Sequence, residues 1–406
     1  MNLLIRYAGA VLPWLAVVAG LVLPAVAPEI ANTTTIVLMA LAIVVCWRSD
    51  WQRILSSATV ALPLLAGVLL VIAFAITAKS AWHIGIIVVL APLFLVAPLT
   101  ALFERLPTRH ALTALAVAAL LGSLGAALVA CYDTQVLHMA RAGFSVANPI
   151  HFADISLMLG CIPLLGLAGR RAWWRLVFLA GPMLGIIAVL LSGSRGPILA
   201  VVPVTAAFVL LALHRLMPNR WFWVGLGAFL LAIAAAIGIG STTGWLQSQP
   251  IVANILDVVR TGASPDGSTT ERLSMYKTAW SAFLASPFYG HGMLDFIAIT
   301  ATYAPPGVVF PSYEHLHNDI ADFAVIGGLL GLVAYALLIV APLVAVWRLP
   351  PGQPRFAVLL LAVPLTIGYF SMGLTNALFG ILSLTVLYAV GLSLIAFLSG
   401  PKASLS

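Results

Sequence analysis

Long apolar stretches recur along this chain, and each is about 17 to 23 residues in length, enough to cross a bilayer as a helix. A helix satisfies its backbone hydrogen bonds internally in hydrocarbon, whereas the strands of a membrane barrel are shorter and alternate in polarity. With 62% hydrophobic and 8% charged residues, the chain has too little polar surface to cover a soluble globule. We therefore predict an all-α polytopic membrane protein.

About 12 transmembrane helices fit these stretches, at roughly 8–27, 31–47, 55–77, 84–102, 111–131, 153–168, 175–192, 197–213, 221–240, 326–346, 356–374 and 378–398. The first stretch resembles a signal peptide, but its length and Pro28 favour a retained span. A segment at 241–325 is far longer than the other connections, and such segments are often functional. The predicted divisions are 1–240 with helices 1–9, a folded loop at 241–325, and 326–406 with helices 10–12 and a tail.

Most basic residues fall in turns on one side of these spans, which the positive-inside rule assigns to the cytoplasm. Both termini are then cytoplasmic and the 241–325 loop is on the outer face. This topology explains the net charge of +7 without nucleic-acid binding. The three cysteines are scattered and predict neither a disulfide nor a metal site. The basic residues that remain outside, against the bias, are Lys79, Arg141, Arg195, Arg260, Arg272 and Lys277.

Two helices are predicted within the long loop. The capping-box pattern Ser268-Thr269-Thr270-Glu271 begins a helix that runs to about Ala285, with Arg272 and Tyr276 on one face. A second helix is expected to start near Pro311-Ser312 and to carry the polar residues at 314–322 into the next span.

The outer arginines are suited to an anionic ligand at headgroup level. Arg195 lies in the tight turn Ser194-Arg195-Gly196 between two spans, and a guanidinium binds phosphate through a bidentate fork. Together with Arg272, Arg260 and Arg141 it could neutralise a polyprenyl diphosphate. The alternative is that each arginine contacts ordinary phospholipid or pairs with a loop carboxylate.

A polar cluster precedes the tenth span: Tyr313, Glu314, His315, Leu316, His317, Asn318 and Asp319. In a helix, Glu314 would support His317 and Asp319 would support His315, and such a histidine can remove a proton from a hydroxyl. Metal binding is less favoured because a helix turns His315 and His317 apart. A solvated helix start remains a further alternative. Small residues that follow, Gly328 and Gly331, are expected to allow close helix packing.

A transporter is the alternative of a different class. Transporters place ionisable groups and broken helices near the bilayer midplane, often in repeated halves. The predicted spans here lack charged residues at their centres, and the polar groups concentrate in the outer loop.

The motifs resemble those of the O-antigen ligase and O-antigen polymerase superfamily, and within it most resemble lipopolysaccharide O-antigen ligases. The most specific match is His317-Asn318, then residues 319–327, then Gly328 and Gly331. Ser194-Arg195-Gly196 resembles the short turn of the family before a span. The family's long-loop arginine helix and its P-x-x-G-x-G turn are matched by Arg272, Leu273, Trp280, Pro287, Gly290 and Gly292.

The resemblance implies a fold like that of the GT-C glycosyltransferases and a reaction without cofactor, nucleotide sugar or catalytic metal. His317 would be the general base on a hydroxyl of the lipid A core, and Arg195 and Arg272 would hold the diphosphate of undecaprenyl-linked O-antigen. Direct attack would invert the anomeric centre. The location implied is the Gram-negative inner membrane with a periplasmic site. A polymerase or a protein O-oligosaccharyltransferase of the same superfamily is the alternative, and no oligomeric state is predicted.

Overall fold

The computed structural model describes residues 2–47, 49–80, 83, 86–107, 110–169, 173–216, 224, 267–304, 306, 310 and 313–400. Over these residues the chain forms helices and no strands. The predicted span at 221–240 and the candidate residue Arg260 lie outside the described part.

Sixteen α-helices can be followed in the described residues. The first eight are α1 (Asn2–Val17), α2 (Pro28–Val45), α3 (Trp51–Ser56), α4 (Ala58–Thr77), α5 (Ala91–Phe94), α6 (Val96–Phe103), α7 (Ala111–Cys131) and α8 (Pro149–Cys161). The second eight are α9 (Ala180–Ser192), α10 (Arg195–Leu216), α11 (Gly267–Ala285), α12 (Phe296–Ala301), α13 (Asp319–Arg348), α14 (Gln353–Val363), α15 (Tyr369–Gly373) and α16 (Leu382–Ser399). Turns of 3₁₀- or π-helix extend several of them.

Nine helical stretches in the described part are long and apolar enough to cross a membrane. They are Pro28–Val45, Ala58–Thr77, Ala111–Val136, Pro149–Ala168, Trp173–Ser192, Arg195–Arg215, Asp319–Arg348, Gln353–Gly373 and Leu382–Ser399. A shorter apolar helix runs over Gly9–Val22. The prediction of a multi-pass, all-helical membrane protein is thus confirmed, whereas the total of twelve spans stays a prediction.

The predicted span at 84–102 is not one continuous helix. It is divided into a 3₁₀-helix at Ile86–Leu90 and the short helices α5 and α6. Pro92 and Pro98 each lie near the start of one of these short helices. Proline lacks the N–H that continues the hydrogen-bond ladder, so it favours a helix start and interrupts a longer helix.

Several contacts join helix ends that are far apart in sequence. Arg53 pairs with Glu104, and the guanidinium of Arg215 lies 3.8 Å from the ring centre of Phe356. Asn32 donates to Ser383 at 2.9 Å. Each contact joins ends that the alternation of spans assigns to the same side, so the relative sidedness of these segments agrees with the sequence prediction.

Helix α13 is sharply kinked near its start. Gly328 has φ 58° and ψ −140°, a conformation outside the helical region that a residue with a Cβ rarely adopts. The backbone freed by the kink pairs with the chain that follows α11: Leu329 N donates to Pro287 O at 2.7 Å, and His291 N donates to Val325 O at 2.8 Å. The kink therefore joins the first turns of α13 to the end of α11.

The glycines of this region allow a backbone crossing rather than the helix–helix packing expected from Gly328 and Gly331. A Cβ at Gly328 would lie 2.6 Å from Phe288 C, and one at Gly331 would lie 2.0 Å from Phe323 O. Gly290 is equally close to α13, since its Cβ would lie 2.4 Å from Val325 O. For Gly328 the close partner is the loop after α11, and for Gly331 it is an earlier turn of α13 itself, so neither glycine meets a second membrane helix at its nearest contact.

Candidate active site

An open cavity of about 490 Å³ lies where the first turn of α8, the start of α11 and residues 313–317 meet. Its lining is mixed polar and apolar and contains three imidazoles, one guanidinium and two carboxylates. The lining residues are Asn148, Ile150, His151, Glu271, Arg272, Met275, Tyr313, Glu314, His315 and His317.

The segment that carries the histidines is not helical. The prediction of a helix that starts near Pro311-Ser312 and includes these histidines is therefore wrong. Pro311 and Ser312 themselves lie outside the described part. Helix α13 begins only at Asp319, with Asn318 as its N-cap: Asn318 Oδ1 accepts from Ala321 N at 3.0 Å. His317 precedes the cap in the left-handed region, with φ 53°. Because the N-cap residue precedes the first helical residue, the segment before Asn318 is outside the helix. His315 and His317 lie in this segment, residues 313–317, which we call the histidine turn.

The carboxylate partner expected for His315 from helical spacing is therefore wrong, whereas the pairing of Glu314 with His317 stays a prediction. Asp319 does not support His315; its Oδ1 accepts from the backbone N–H groups of Leu378, at 2.8 Å, and Phe379. Asp322 Oδ1 accepts from Leu316 N at 2.9 Å. The first turn of α13 thus holds two loops in place, one of which carries His315 and His317.

The histidines of the turn contact each other directly. The ring centres of His315 and His317 are 4.4 Å apart at an interplanar angle of 85°, and Tyr313 lies 5.0 Å from His317 on another side. His151 of α8 lies 6.4 Å from His315. Among the described residues no group of three or more His, Cys, Asp or Glu side chains is arranged to hold a metal ion.

His317 is a neutral imidazole near neutral pH. Burial lowers its pKa to about 4, and the neighbouring charges of Arg272 and His151 act in the same direction. Burial and the same neighbours lower the pKa of His315 to about 3. A neutral imidazole retains a nitrogen lone pair, so His317 is in the protonation state that can accept a proton.

Arg272 is the cation that lines the cavity. Helix α11 runs over Gly267–Ala285, which confirms the helix predicted from the capping-box pattern. One turn after Arg272, Tyr276 donates its hydroxyl hydrogen to the backbone oxygen of His317 at 3.1 Å. Tyr313 donates to Glu271 Oε2 at 3.2 Å, so both ends of the histidine turn are tied to α11.

Arg141 contacts the turn before α10 instead of the cavity. Its Nε donates to Ser192 O and its Nη2 to Ser194 Oγ, each at 2.8 Å. These two bonds hold the residues that precede Arg195 and leave the other N–H groups of the guanidinium available, so a diphosphate contact by Arg141 stays a prediction.

Arg195 begins α10 and is not among the residues that line the cavity. Its neighbour Gly196 packs against Thr375, since a Cβ at Gly196 would lie 2.2 Å from Thr375 Oγ1. The same connection contacts the histidine turn, because Asn318 Nδ2 donates to Leu374 O at 3.2 Å. The Arg195 turn and the histidine turn therefore meet adjacent residues, Thr375 and Leu374, of the connection at 374–376.

Two buried residues near His317 were missed by the sequence analysis. Asp154, on α8, is 0% exposed, and Asn376, after α15, is 1% exposed. Asn376 Nδ2 donates to Asp154 Oδ2 at 2.8 Å. The available signal was an aspartate within an apolar run, which in a membrane marks a functional or paired group. Asp154 lies at the start of the predicted span 153–168, where an acidic residue is common, so the signal is weak.

Residues 180–336 match the family model described as O-antigen ligase. The matched range contains the Arg195 turn, α11 with Arg272, the histidine turn and the kinked start of α13. No curated protein matches the chain. The family match confirms the resemblance predicted from the motifs and supports membership in the O-antigen ligase and polymerase superfamily.

Proposed function

We propose that this member of the O-antigen ligase and polymerase superfamily is a ligase that transfers a glycan from undecaprenyl diphosphate to a sugar hydroxyl of the lipid A core. The observation that carries the proposal is the neutral imidazole of His317 beside the guanidinium of Arg272 in one open cavity. A proton acceptor and an anion-binding group within one cavity are what this transfer needs.

In the proposed reaction, His317 takes the proton of the acceptor hydroxyl as its oxygen attacks the anomeric carbon of the donor sugar. The bond between that carbon and the diphosphate oxygen breaks, and undecaprenyl diphosphate leaves with the electron pair. Arg272 stabilises the negative charge that grows on the leaving group. Attack from the face opposite the diphosphate inverts the anomeric centre.

The remaining candidates would support this arrangement. Tyr276 and Asn318 fix the backbone of the histidine turn through the bonds described above. Glu314 and His315 line the cavity and would contact the acceptor sugar. Arg195, held near the connection at 374–376, would bind the second phosphate if its side chain reaches the cavity edge when the donor is present.

The proposal is tested in a defined mixture of the purified protein, undecaprenyl diphosphate glycan and lipid A core, without nucleotide or divalent metal. We expect His317→Gln to lower kcat by roughly 10²- to 10⁴-fold with little change in KM, the range for loss of a general base. His110→Gln, the same change at an exposed histidine before α7, is the matched control and should be as active as the unmodified protein.

Full activity of His317→Gln would remove His317 from the base role. Extension of the lipid-linked glycan, with no product on lipid A core, would assign the chain to the polymerases of the superfamily. Loss of transfer on addition of a chelator, reversed by a divalent ion, would contradict a metal-independent reaction.

A further inference from the structure

Asn376 bonds to the buried Asp154, and it lies two residues after Leu374, whose backbone oxygen accepts a hydrogen bond from Asn318, the neighbour of His317. Asp154 is one helical turn after His151 on α8, and Asn376 is in the connection between α15 and α16. The bond from Asn376 Nδ2 to Asp154 Oδ2 fixes the amide plane. An amide carries its NH₂ group and its oxygen on opposite arms, so the oxygen of Asn376 is turned away from the carboxyl group that it binds.

Two buried atoms remain unpaired at this point. Asn376 Oδ1 and His317 Nδ1 are both buried, and neither atom has a hydrogen-bond partner among the described residues. The Asn376 side chain nevertheless acts on the imidazole as a hydrogen-bond partner that raises the His317 pKa, against the larger lowering by burial. A buried polar atom costs free energy unless it is paired, so these two atoms complement each other.

The geometry points to Asp154 and Asn376 as positioning residues: Asp154 orients the Asn376 amide, and Asn376 Oδ1 accepts a hydrogen bond from Nδ1–H of His317. The imidazole is then held as the tautomer whose Nε2 carries the free lone pair. This inference rests on the proposed role of His317 as the base, and it identifies Nε2 as the nitrogen that accepts the proton.

None of the other described groups around His317 accepts a hydrogen bond from its Nδ1–H in place of Asn376. From α11, Arg272 is a donor without acceptor capacity, and the Tyr276 hydroxyl is bonded to the backbone. From the histidine turn, Tyr313 donates to Glu271, and His315 Nδ1 accepts from the backbone N–H of His317. From α8, His151 lies nearer to His315 and contributes positive charge when it is protonated.

The tautomer matters because a neutral imidazole has one N–H and one lone pair. If Nδ1 carries the hydrogen, Nε2 can take the proton of the acceptor hydroxyl; if Nε2 carries it, that nitrogen cannot. An acceptor on the far side of the ring also stabilises the imidazolium that forms when the proton arrives.

The first experiment measures the tautomer without turnover. Protein labelled with ¹⁵N histidine is studied by NMR in nanodiscs at pH 7, and the His317 signals are assigned by their loss in His317→Gln. We expect a protonated Nδ1 and a bare Nε2. A bare Nδ1 would overturn the inference, whether or not the protein transfers glycan.

The second experiment follows the acid limb of the kcat profile in two variants. Asn376→Ala removes the acceptor, so we expect kcat to fall by roughly 10- to 100-fold, as for other supporting partners of a functional histidine, and the acid limb to move to lower pH. The exchange of Asp154→Asn with Asn376→Asp keeps one amide and one carboxyl group but places the carboxyl beside His317. It should recover most of kcat and move the acid limb to higher pH than in the unmodified protein.

Opposite shifts in the two variants would not arise from a purely structural role. If both lower kcat equally at every pH, with the acid limb unmoved, the positioning role is wrong. If Asn376→Ala does not fold, the exchange variant and the tautomer measurement decide the question. If the unmodified protein shows no transfer at all, the proposed function fails, and the tautomer remains measurable.

Discussion

The protonation state of His317 follows from its surroundings. The side chain is partly buried, and a nearby guanidinium repels the positive charge of an imidazolium. An imidazole in this setting is unprotonated at neutral pH and can accept a proton, but it is a weaker base than a free histidine. Its strength should change when an anionic donor binds, because the diphosphate neutralises Arg272.

This dependence can be measured as two pH profiles of glycan transfer. In the free enzyme the base is neutral above its pKa of about 4, so kcat/KM should be level near neutral pH and should fall only as the pH approaches that value. In the complex the diphosphate removes the repulsion from Arg272, and the pKa of His317 rises. The acid limb of kcat should therefore lie at higher pH than that of kcat/KM, and the reverse order would contradict a diphosphate at Arg272.

Some residues of the candidate site could be predicted from the sequence and others could not. Arg272 and His317 could be predicted because each is polar in a segment outside the apolar spans, and they do line one cavity. The pairing of Asp154 with Asn376 could not be predicted, because the two residues are 222 positions apart in sequence. Neither residue type is unusual at the end of a span. The role expected for Asp319 was wrong because its partners, the N–H groups of Leu378 and Phe379, are 59 and 60 positions away along the chain.

The element that positions the histidine turn is the kinked start of α13. The turn is fixed from both sides, by Asp322 through Leu316 N and by Tyr276 through His317 O. These bonds require α11 to lie close to α13. The close approach in turn depends on the glycines at the kink, where loop and helix backbones are in contact.

Substitution of a glycine at the kink should therefore destabilise the fold. Gly328→Ala places a Cβ 2.6 Å from Phe288 C at a positive φ, and backbone strain together with overpacking should cost at least about 2 kcal/mol of unfolding free energy. Gly327→Ala is the matched control, because its Cβ would meet Leu70 Cδ2 at 3.5 Å, an ordinary contact. Unfolding in mixed micelles, followed by circular dichroism, gives both values.

Equal stability of Gly328→Ala and Gly327→Ala would show that the kink does not need a residue without a Cβ. A large loss of stability in both would mean that an added Cβ is harmful at either position, whether or not the residue has a positive φ. Only a selective loss in Gly328→Ala supports the role assigned to the backbone crossing.

Elements governed by local chemistry could be predicted, and those governed by distant partners could not. Helix α11 starts at Gly267, one residue before the capping-box pattern, and ends at Ala285, so its bounds could be predicted from residues close together in sequence. The helix expected near Pro311-Ser312 does not extend through 313–318, because Asn318 caps α13 later and Asp322 and Tyr276 hold the preceding backbone. Pattern alone also missed that Pro92 and Pro98 divide a span.

At the scale of the whole molecule, the predicted alternation of spans assigns the helix ends to two faces. Arg105 Nη2 donates to Val45 O at 2.7 Å, and both residues are assigned to the face of Arg53 and Arg215. The cavity, the Arg195 turn and the kink of α13 lie at helix ends assigned to the other face. The excess of basic residues on the first face predicts that it is cytoplasmic, so the cavity should open to the periplasm, where a lipid-linked glycan would be presented.

This orientation is testable with two exposed serines at helix ends, Ser281 on α11 and Ser56 on α3. Each is changed to cysteine in a Cys131→Ser background, because Cys131 is exposed whereas Cys46 and Cys161 are buried. A membrane-impermeant maleimide should label Ser281→Cys in intact spheroplasts and Ser56→Cys only in inverted vesicles, since the positive-inside rule assigns these positions to opposite sides. The reverse result would put the cavity in the cytoplasm and remove the proposed periplasmic reaction, and labelling of both from one side would contradict the division into two faces.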